Sequence, residues 1–138
     1  MRQASGTLTF GTNGPALVAI TAEVADWLTG TGISEGLLTL LCRHTSASLL
    51  ITENASPAVR HDMLRWLDRL APRGSQYEHD DEGPDDMPAH LRSALTGVNL
   101  ALPVAGGRMM LGTWQGVFLA EHRDAPHTRD VACHVIGV

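Results

Sequence analysis

Between Glu78 and Asp86 the chain carries six carboxylates, those of Glu78, Asp80, Asp81, Glu82, Asp85 and Asp86. Such a run repels itself unless it is solvated, protonated or bound to a cation, and hard divalent cations prefer clustered oxygen ligands. A solvated surface loop is the plain alternative. His79 inside the run and His90 just beyond it add imidazole nitrogen, which with Asp80, Asp85 and Asp86 makes a ligand set suited to Zn²⁺ or a similar ion. The spacing matches neither a helix-borne histidine pair nor a cysteine-pair framework, so the fold would have to assemble the site. His44 is a third candidate ligand. Strict alternation places it on the side of Leu38, Leu40 and Cys42, where a histidine is ordinarily a hydrogen-bonded core residue, but this one ends its strand where loops meet.

A second polar group lies between Gly112 and Arg123. Two glycines, Gly112 and Gly116, flank Trp114 and weaken a strand, which often marks a bulge or a close approach to another backbone or a ligand. Alternation puts Thr113, Gln115, Glu121 and Arg123 on one side. They form either an exposed Glu121–Arg123 ion pair or a polar cluster lining a pocket.

The elements that must position these groups follow from periodicity and punctuation. Leu8 and Phe10 alternate with threonines, Gly11 to Gly14 makes a turn, and Ala16 to Ile20 is short and apolar, which predicts a hairpin. Thr21 caps a short helix with Val24, Trp27 and Leu28 on one face and Gly30 as its stop. Leu37–Thr45 and Ala47–Thr52 read as a second hairpin. Ser56 and Pro57 open a helix whose Val59, Met63, Trp66, Leu67 and Leu70 share an inner face. Pro72 to Met87 has no periodicity, and a loop of that length in a small domain is usually functional or disordered. Pro88 starts a helix with Leu91, Ala94 and Leu95 inward and Gly97 as its stop. Val98–Val104, Met109–Arg123 and Arg129–Val135 read as strands around a Gly106–Gly107 turn. The order ββ-α-ββ-α-α-βββ predicts an α+β protein with three helices and antiparallel sheet.

The 138 residues fit one domain spanning 1–138, large enough to fold without a disulfide or structural metal. Hydrophobic residues make up 43% and charged residues 18%, the balance of a globular chain. All ten basic residues are arginine, which excludes Schiff-base chemistry and a P-loop lysine. A net charge of -5 with no basic stripe argues against nucleic acid as a partner. The polar Met1–Phe10 segment is not a secretory signal and no apolar run is long enough to span a membrane, so a cytoplasmic location and no membrane partner are expected. Cys42 and Cys133 sit in apolar strand-like runs, where thiols behave as small hydrophobes.

Taken together, His44-Thr45-Ser46-Ala47-Ser48, Glu53-Asn54, Arg60-His61-Asp62-Met63, Tyr77-Glu78-His79-Asp80, Asp85-Asp86-Met87-Pro88 with His90, and Gly112-Thr113-Trp114-Gln115-Gly116 followed by Glu121-His122-Arg123 resemble the YjbQ-like proteins. Members are often named secondary thiamine-phosphate synthase enzymes. The resemblance implies a mixed, mainly antiparallel β-sandwich with helices, a homotrimer with polar clefts near subunit boundaries, and a weak thiamine phosphate synthase activity. Its polar motif positions fall here on His44, Asn54, His79, Asp80, Asp86, His90, Trp114, Gln115, Glu121 and Arg123. That activity joins a pyrimidine-methyl diphosphate to a thiazole phosphate with loss of diphosphate. Asp80 and Asp86 would hold Mg²⁺ and Arg123 the phosphate of a small anionic ligand. Two other readings stand beside it: a metal-dependent hydrolase with His79 and His90 as ligands and Glu121 as general base, and a non-catalytic trimer that binds a small anion or a partner.

Overall fold

The computed structural model describes residues 1–74 and 76–138. Eleven elements follow one another: β1 Arg2–Asn13, β2 Ala16–Ala19, α1 Thr21–Thr31, β3 Gly36–Cys42, β4 Ala47–Glu53, α2 Pro57–Leu70, α3 Asp86–Thr96, β5 Asn99–Ala105, β6 Arg108–Met109, β7 Gln115–Glu121 and β8 Pro126–Gly137. They build the expected α+β architecture, with sheets β1-β8-β3-β5-β6 and β2-β7-β4. Every ladder among the described residues is antiparallel.

Neither expected hairpin forms. β1 pairs with β8 while β2 pairs with β7, and β3 pairs with β5 and β8 while β4 pairs with β7. Each turn carries the chain from one sheet to the other. Gly14, at φ 96°, makes the first crossing in a conformation that costs glycine little. Periodicity reports which face of a strand is buried, and a crossing turn looks like a hairpin turn until the partner strands are known.

The two sheets close on Leu38, Leu40 and Cys42 of β3, Val131, Cys133 and Val135 of β8, and Leu49, Val117 and Leu119 of the smaller sheet, with Val24 and Leu28 of α1 at one end. Burial pushes both cysteine thiols up to about 11, so neither is a nucleophile at neutral pH. The far side of the smaller sheet carries Leu17, Leu50, Phe118 and Ala120 against Met63 and Leu64 of α2. Strand β7 is therefore covered on both faces, which is why Val117 to Ala120 reads as an unbroken apolar run.

The helices depart from expectation in one informative way. Of the predicted inner face of α2 only Leu67 is buried, while Trp66 is 45% and Leu70 52% exposed. On α3, Leu91 and Leu95 are exposed and Asp86, Arg92 and Ser93 are buried. The helix has turned its polar side toward the protein because that side makes ion pairs, described next.

One packing constraint is testable directly. Gly36 and Gly137 face each other across β3 and β8, and a Cβ on Gly36 would lie 2.1 Å from the Ile136 carbonyl oxygen. A backbone carbonyl in a ladder cannot move aside, so Gly36→Ala should cost roughly 1 to 3 kcal/mol. Urea denaturation reads this, and an unchanged midpoint would contradict the registered Gly36–Gly137 contact.

Candidate metal site and its neighbours

Helix α3 begins at Asp86, and a residue one turn later, His90, lies on the same face. Asp86 Oδ2 stands 2.7 Å from His79 Nε2 and 3.0 Å from His90 Nε2. The loop before α3 thus folds His79 back onto the helix start, and the two imidazole centroids are 5.6 Å apart. One ligand atom from each of His79, Asp86 and His90 lies within 4.8 Å of the others. The loop is held by Arg123, which follows β7. Its Nε donates to Asp85 Oδ2 at 2.9 Å, Nη1 to Asp86 Oδ1 at 2.6 Å, and Nη2 to the Glu82 carbonyl at 3.1 Å. The Asp124 backbone N–H also donates to Asp85 at 2.8 Å.

Hydrogen bonding fixes what His90 can offer. Its Nδ1 is 2.8 Å from the Thr45 carbonyl oxygen, an acceptor only, so Nδ1 carries the proton. Nε2 is the nitrogen that faces the Asp86 carboxylate. Two lone pairs at 3.0 Å repel unless a proton or a cation lies between them. An imidazole whose outer N–H is anchored on a carbonyl while its inner nitrogen faces other ligands is the usual metal-binding arrangement. Burial pushes the Asp86 carboxyl up, yet the His79 hydrogen bond and the charges of His90 and Arg123 outweigh it and hold the group below the ordinary range. The hydrogen bond to Asp86, helped by the charges of Asp81, Asp86 and Glu82, holds His79 above its ordinary value.

The remaining expected site residues fall elsewhere. Asp80 is exposed and belongs neither to the His79–Asp86–His90 group nor to the second, more exposed group of His79, Asp81 and Glu82, so among the described residues the expected Asp80–Asp86 pair for Mg²⁺ is not formed. His44 stands outside the cluster too, its Nε2 occupied by the Asp130 backbone N–H at 2.8 Å. The expected three-histidine set is replaced by two histidines with Asp86 between them. Asn54 and Gln115 brace the Trp114 loop: Asn54 Nδ2 donates to the Gln115 carbonyl at 3.1 Å, and Gln115 Oε1 accepts from Gly112 N–H at 2.8 Å. The β4–β7 ladder pairs Ala47 with Glu121 at one end and Glu53 with Gln115 at the other. Six residues of extended chain, roughly 20 Å, separate those ends.

Glu121 requires the largest correction. It does not pair with Arg123 through its side chain and is not exposed at all. Arg129 grips both its oxygens, with Nε on Oε1 at 2.7 Å, while Thr12 Oγ1 and the backbone N–H groups of His122 and Arg123 complete the carboxylate's partners. Burial raises its pKa, but Arg129 and the Thr12 hydroxyl win and bring it down to about 2. A carboxylate so satisfied has no lone pair free for a substrate proton. Sequence reasoning missed Arg129, although a signal existed: it alternates with Val131, Cys133 and Val135 on the buried face of β8. An arginine in that register implies a buried partner.

His122 was also missed. Thr96 Oγ1 donates to the Arg92 carbonyl, so Ser48 must donate to Thr96, and His122 Nε2–H must donate to Ser48 at 2.8 Å. The ring is held neutral: burial, with Arg92 and Arg129 nearby, brings its pKa from 6.5 down to about 4. Unfolded chain takes up this proton before folded chain does, so stability is full above 6.5 and falls as the pH drops toward 4. Glu121, lowered from 4.5 to about 2, adds a second loss between those values. Urea midpoints measured from pH 7 to pH 3 should decline through both windows; a flat profile down to pH 4.5 would contradict the buried neutral His122.

The chain is thus an α+β sandwich with a histidine–carboxylate cluster where a loop, a helix start and a strand end meet. It belongs to the family described as UPF0047 protein YjbQ-like, whose profile matches residues 6–138. The UPF0047 protein sll1880 of Synechocystis is 47% identical over 137 residues, 99% of this chain and 93% of that protein. YjbQ of Salmonella typhimurium is 53% identical over 105 residues, covering 75% and 76% respectively. Among solved structures, a hypothetical protein from Aeropyrum pernix superposes with TM-score 0.91 at 29% identity, covering 98% of this chain and 99% of its own. A conserved hypothetical protein from Thermus thermophilus gives 0.85 at 39%, covering 95% and 99%. No helix among the described residues is long and apolar enough to cross a membrane.

Proposed function

We propose that the protein is a divalent-metal-dependent enzyme acting on a small molecule, with His79, Asp86 and His90 as the ligands. The observation that carries this reading is the orientation of His90: its Nδ1 proton is spent on Thr45, so Nε2 is the nitrogen turned to the Asp86 carboxylate and His79, where a cation would take the place of a proton. Two nitrogens and one oxygen suit Zn²⁺ and leave a coordination position open, as catalytic sites require. A metal held there would act as a Lewis acid, polarising an oxygen or lowering the pKa of bound water. Around it the chain's own groups have separate tasks. Thr45 fixes the His90 tautomer, and Arg123 and Asp85 hold the loop closed.

Thiamine phosphate synthesis, implied by the resemblance, is the second reading, because the same metal could draw off diphosphate. Arg123 supports it weakly, since Nε, Nη1 and Nη2 each already serve Asp85, Asp86 or Glu82. For the hydrolase reading, the base must be a group other than Glu121. A homotrimer is part of the proposal; exposed Trp66, Leu70, Leu91 and Leu95 are apolar surface of the kind an oligomer covers.

Tag-free protein should bind one Zn²⁺ per chain, and chelation should abolish turnover in assays for thiamine phosphate formation and for phosphoester hydrolysis run side by side. Zinc binding weaker than about 100 μM would overturn the metal reading. Metal binding without turnover in either assay would exclude both named reactions. Light scattering should give a mass near three chains.

A further inference from the structure

The ring of His44 is held from one side. The Asp130 backbone N–H donates to its Nε2 at 2.8 Å, and a backbone amide cannot accept, so Nε2 is bare and the neutral ring carries its proton on Nδ1. Among the described residues nothing accepts a hydrogen bond from that Nδ1–H. Charging the ring would break the Asp130 bond. Burial and then the nearby Arg129 charge also hold its pKa below the ordinary value, so the ring is a lasting neutral donor.

The half-buried His44 lines a cleft of about 600 Å³ together with Thr45, His90, Ser93, Ala94, Val98 and Asn99. His90 belongs to both the cleft and the metal cluster, so the two are contiguous. No arginine or carboxylate lines the cleft among the described residues. A phosphate held there would meet only neutral donors from the cleft walls, the His44 N–H with the Thr45 hydroxyl and the Asn99 amide, and no arginine, which is a poor exchange for its hydration. An uncharged ring or amide would instead cover Ala94 and Val98 and accept from the His44 Nδ1–H.

We infer that this cleft receives the uncharged part of the substrate, a small molecule that offers a carbonyl oxygen or ring nitrogen to His44 Nδ1–H, and that His44 selects it. The inference deepens the metal-enzyme reading by naming what lies beside the metal, and rests on that reading only for the role of the adjoining cluster. Selection follows from asymmetry: a ligand of the same shape lacking the acceptor leaves a desolvated donor unpaired, which discriminates more strongly than a missing methylene does.

Nicotinamide, flat and uncharged with two acceptors, is the probe, and inorganic phosphate is the contrast. Ring nitrogen–proton correlation in ¹⁵N-labelled protein should show His44 protonated on Nδ1 and bare on Nε2; the opposite tautomer overturns the inference without any variant. Nicotinamide should then shift the His44 ring and the Ala94 and Val98 amides saturably. Two variants divide the ring's functions. His44→Gln can still accept from Asp130 but loses the donor at Nδ1, and should bind nicotinamide roughly threefold to tenfold more weakly while keeping its melting temperature. His44→Asn keeps a donor near Nδ1 and loses the Asp130 contact, so it should bind within about twofold of the parent and melt earlier.

Equal binding by His44→Gln, absence of saturable shifts in the parent, or tighter binding of phosphate at the same resonances each overturns the inference. The titration is run with and without chelator. If zinc fails to bind but nicotinamide still responds to His44, the metal reading falls and the cleft stands. If zinc binds and the cleft is silent, the cleft alone falls.

Discussion

Glu121→Gln is expected to remove a large share of the protein's stability and to leave metal binding by the folded protein untouched. The carboxylate is wholly buried and Arg129 is 3% exposed, so neutralising one partner strands a guanidinium in an apolar interior. Removing one member of a buried pair typically costs about 3 to 5 kcal/mol, against a total stability of about 5 to 15 kcal/mol. Urea denaturation at pH 7 measures the loss. The double variant Glu121→Gln with Arg129→Met should regain part of it, because no uncompensated charge remains. A Glu121→Gln protein as stable as its parent but without metal or turnover would return Glu121 to the active groups.

Asp86→Asn should do the reverse. Both imidazoles and Arg123 meet on the Asp86 carboxylate, and an amide can neither ligate a cation as well nor accept from every neighbour at once. Losing an outer partner of a metal ligand already costs 10- to 100-fold in affinity, so losing the ligand should cost at least about 100-fold in zinc affinity. Arg123 keeps Asp85, which limits the stability loss and keeps the variant folded enough to titrate. Zinc competition with a chromophoric chelator reads the affinity. An affinity within about threefold of the parent would remove Asp86 from the ligand set.

What the sequence revealed and what it concealed divide along physical lines. Local signals were legible: the strands around Leu38–Cys42 and Val131–Val135 alternate, Pro57 opens a helix, and the aperiodic stretch after Pro72 holds His79. Pairing between distant segments was not. The β1–β2 and β3–β4 turns cross between sheets, and nothing in a turn records which strand lies beside the next one. The same limit governs the site. His79, Asp86 and His90 stand close in sequence as well as in space, so their residue types suggest a metal even though their spacing matches no framework, while Glu121 reads as an ion pair with Arg123 or as a pocket-lining base because Arg129 reaches it only through the register of β8. The polar face of α3 was misread for a related reason. An apolar stripe of Leu91, Ala94 and Leu95 ordinarily faces the core, yet here the ion pairs of Asp86 and Arg92 claim the inner side.

In the proposed function two imidazoles and one carboxylate hold a metal. The X-ray absorption spectrum of protein loaded with one equivalent of Zn²⁺ tests it most directly. The expected spectrum shows a four-coordinate shell with two imidazole nitrogens at about 2.0 to 2.1 Å and oxygen at about 2.0 to 2.2 Å, with imidazole scattering that falls by half in His90→Ala. A shell of oxygen alone, as in the hydrated ion, or one that contains sulfur, would contradict it.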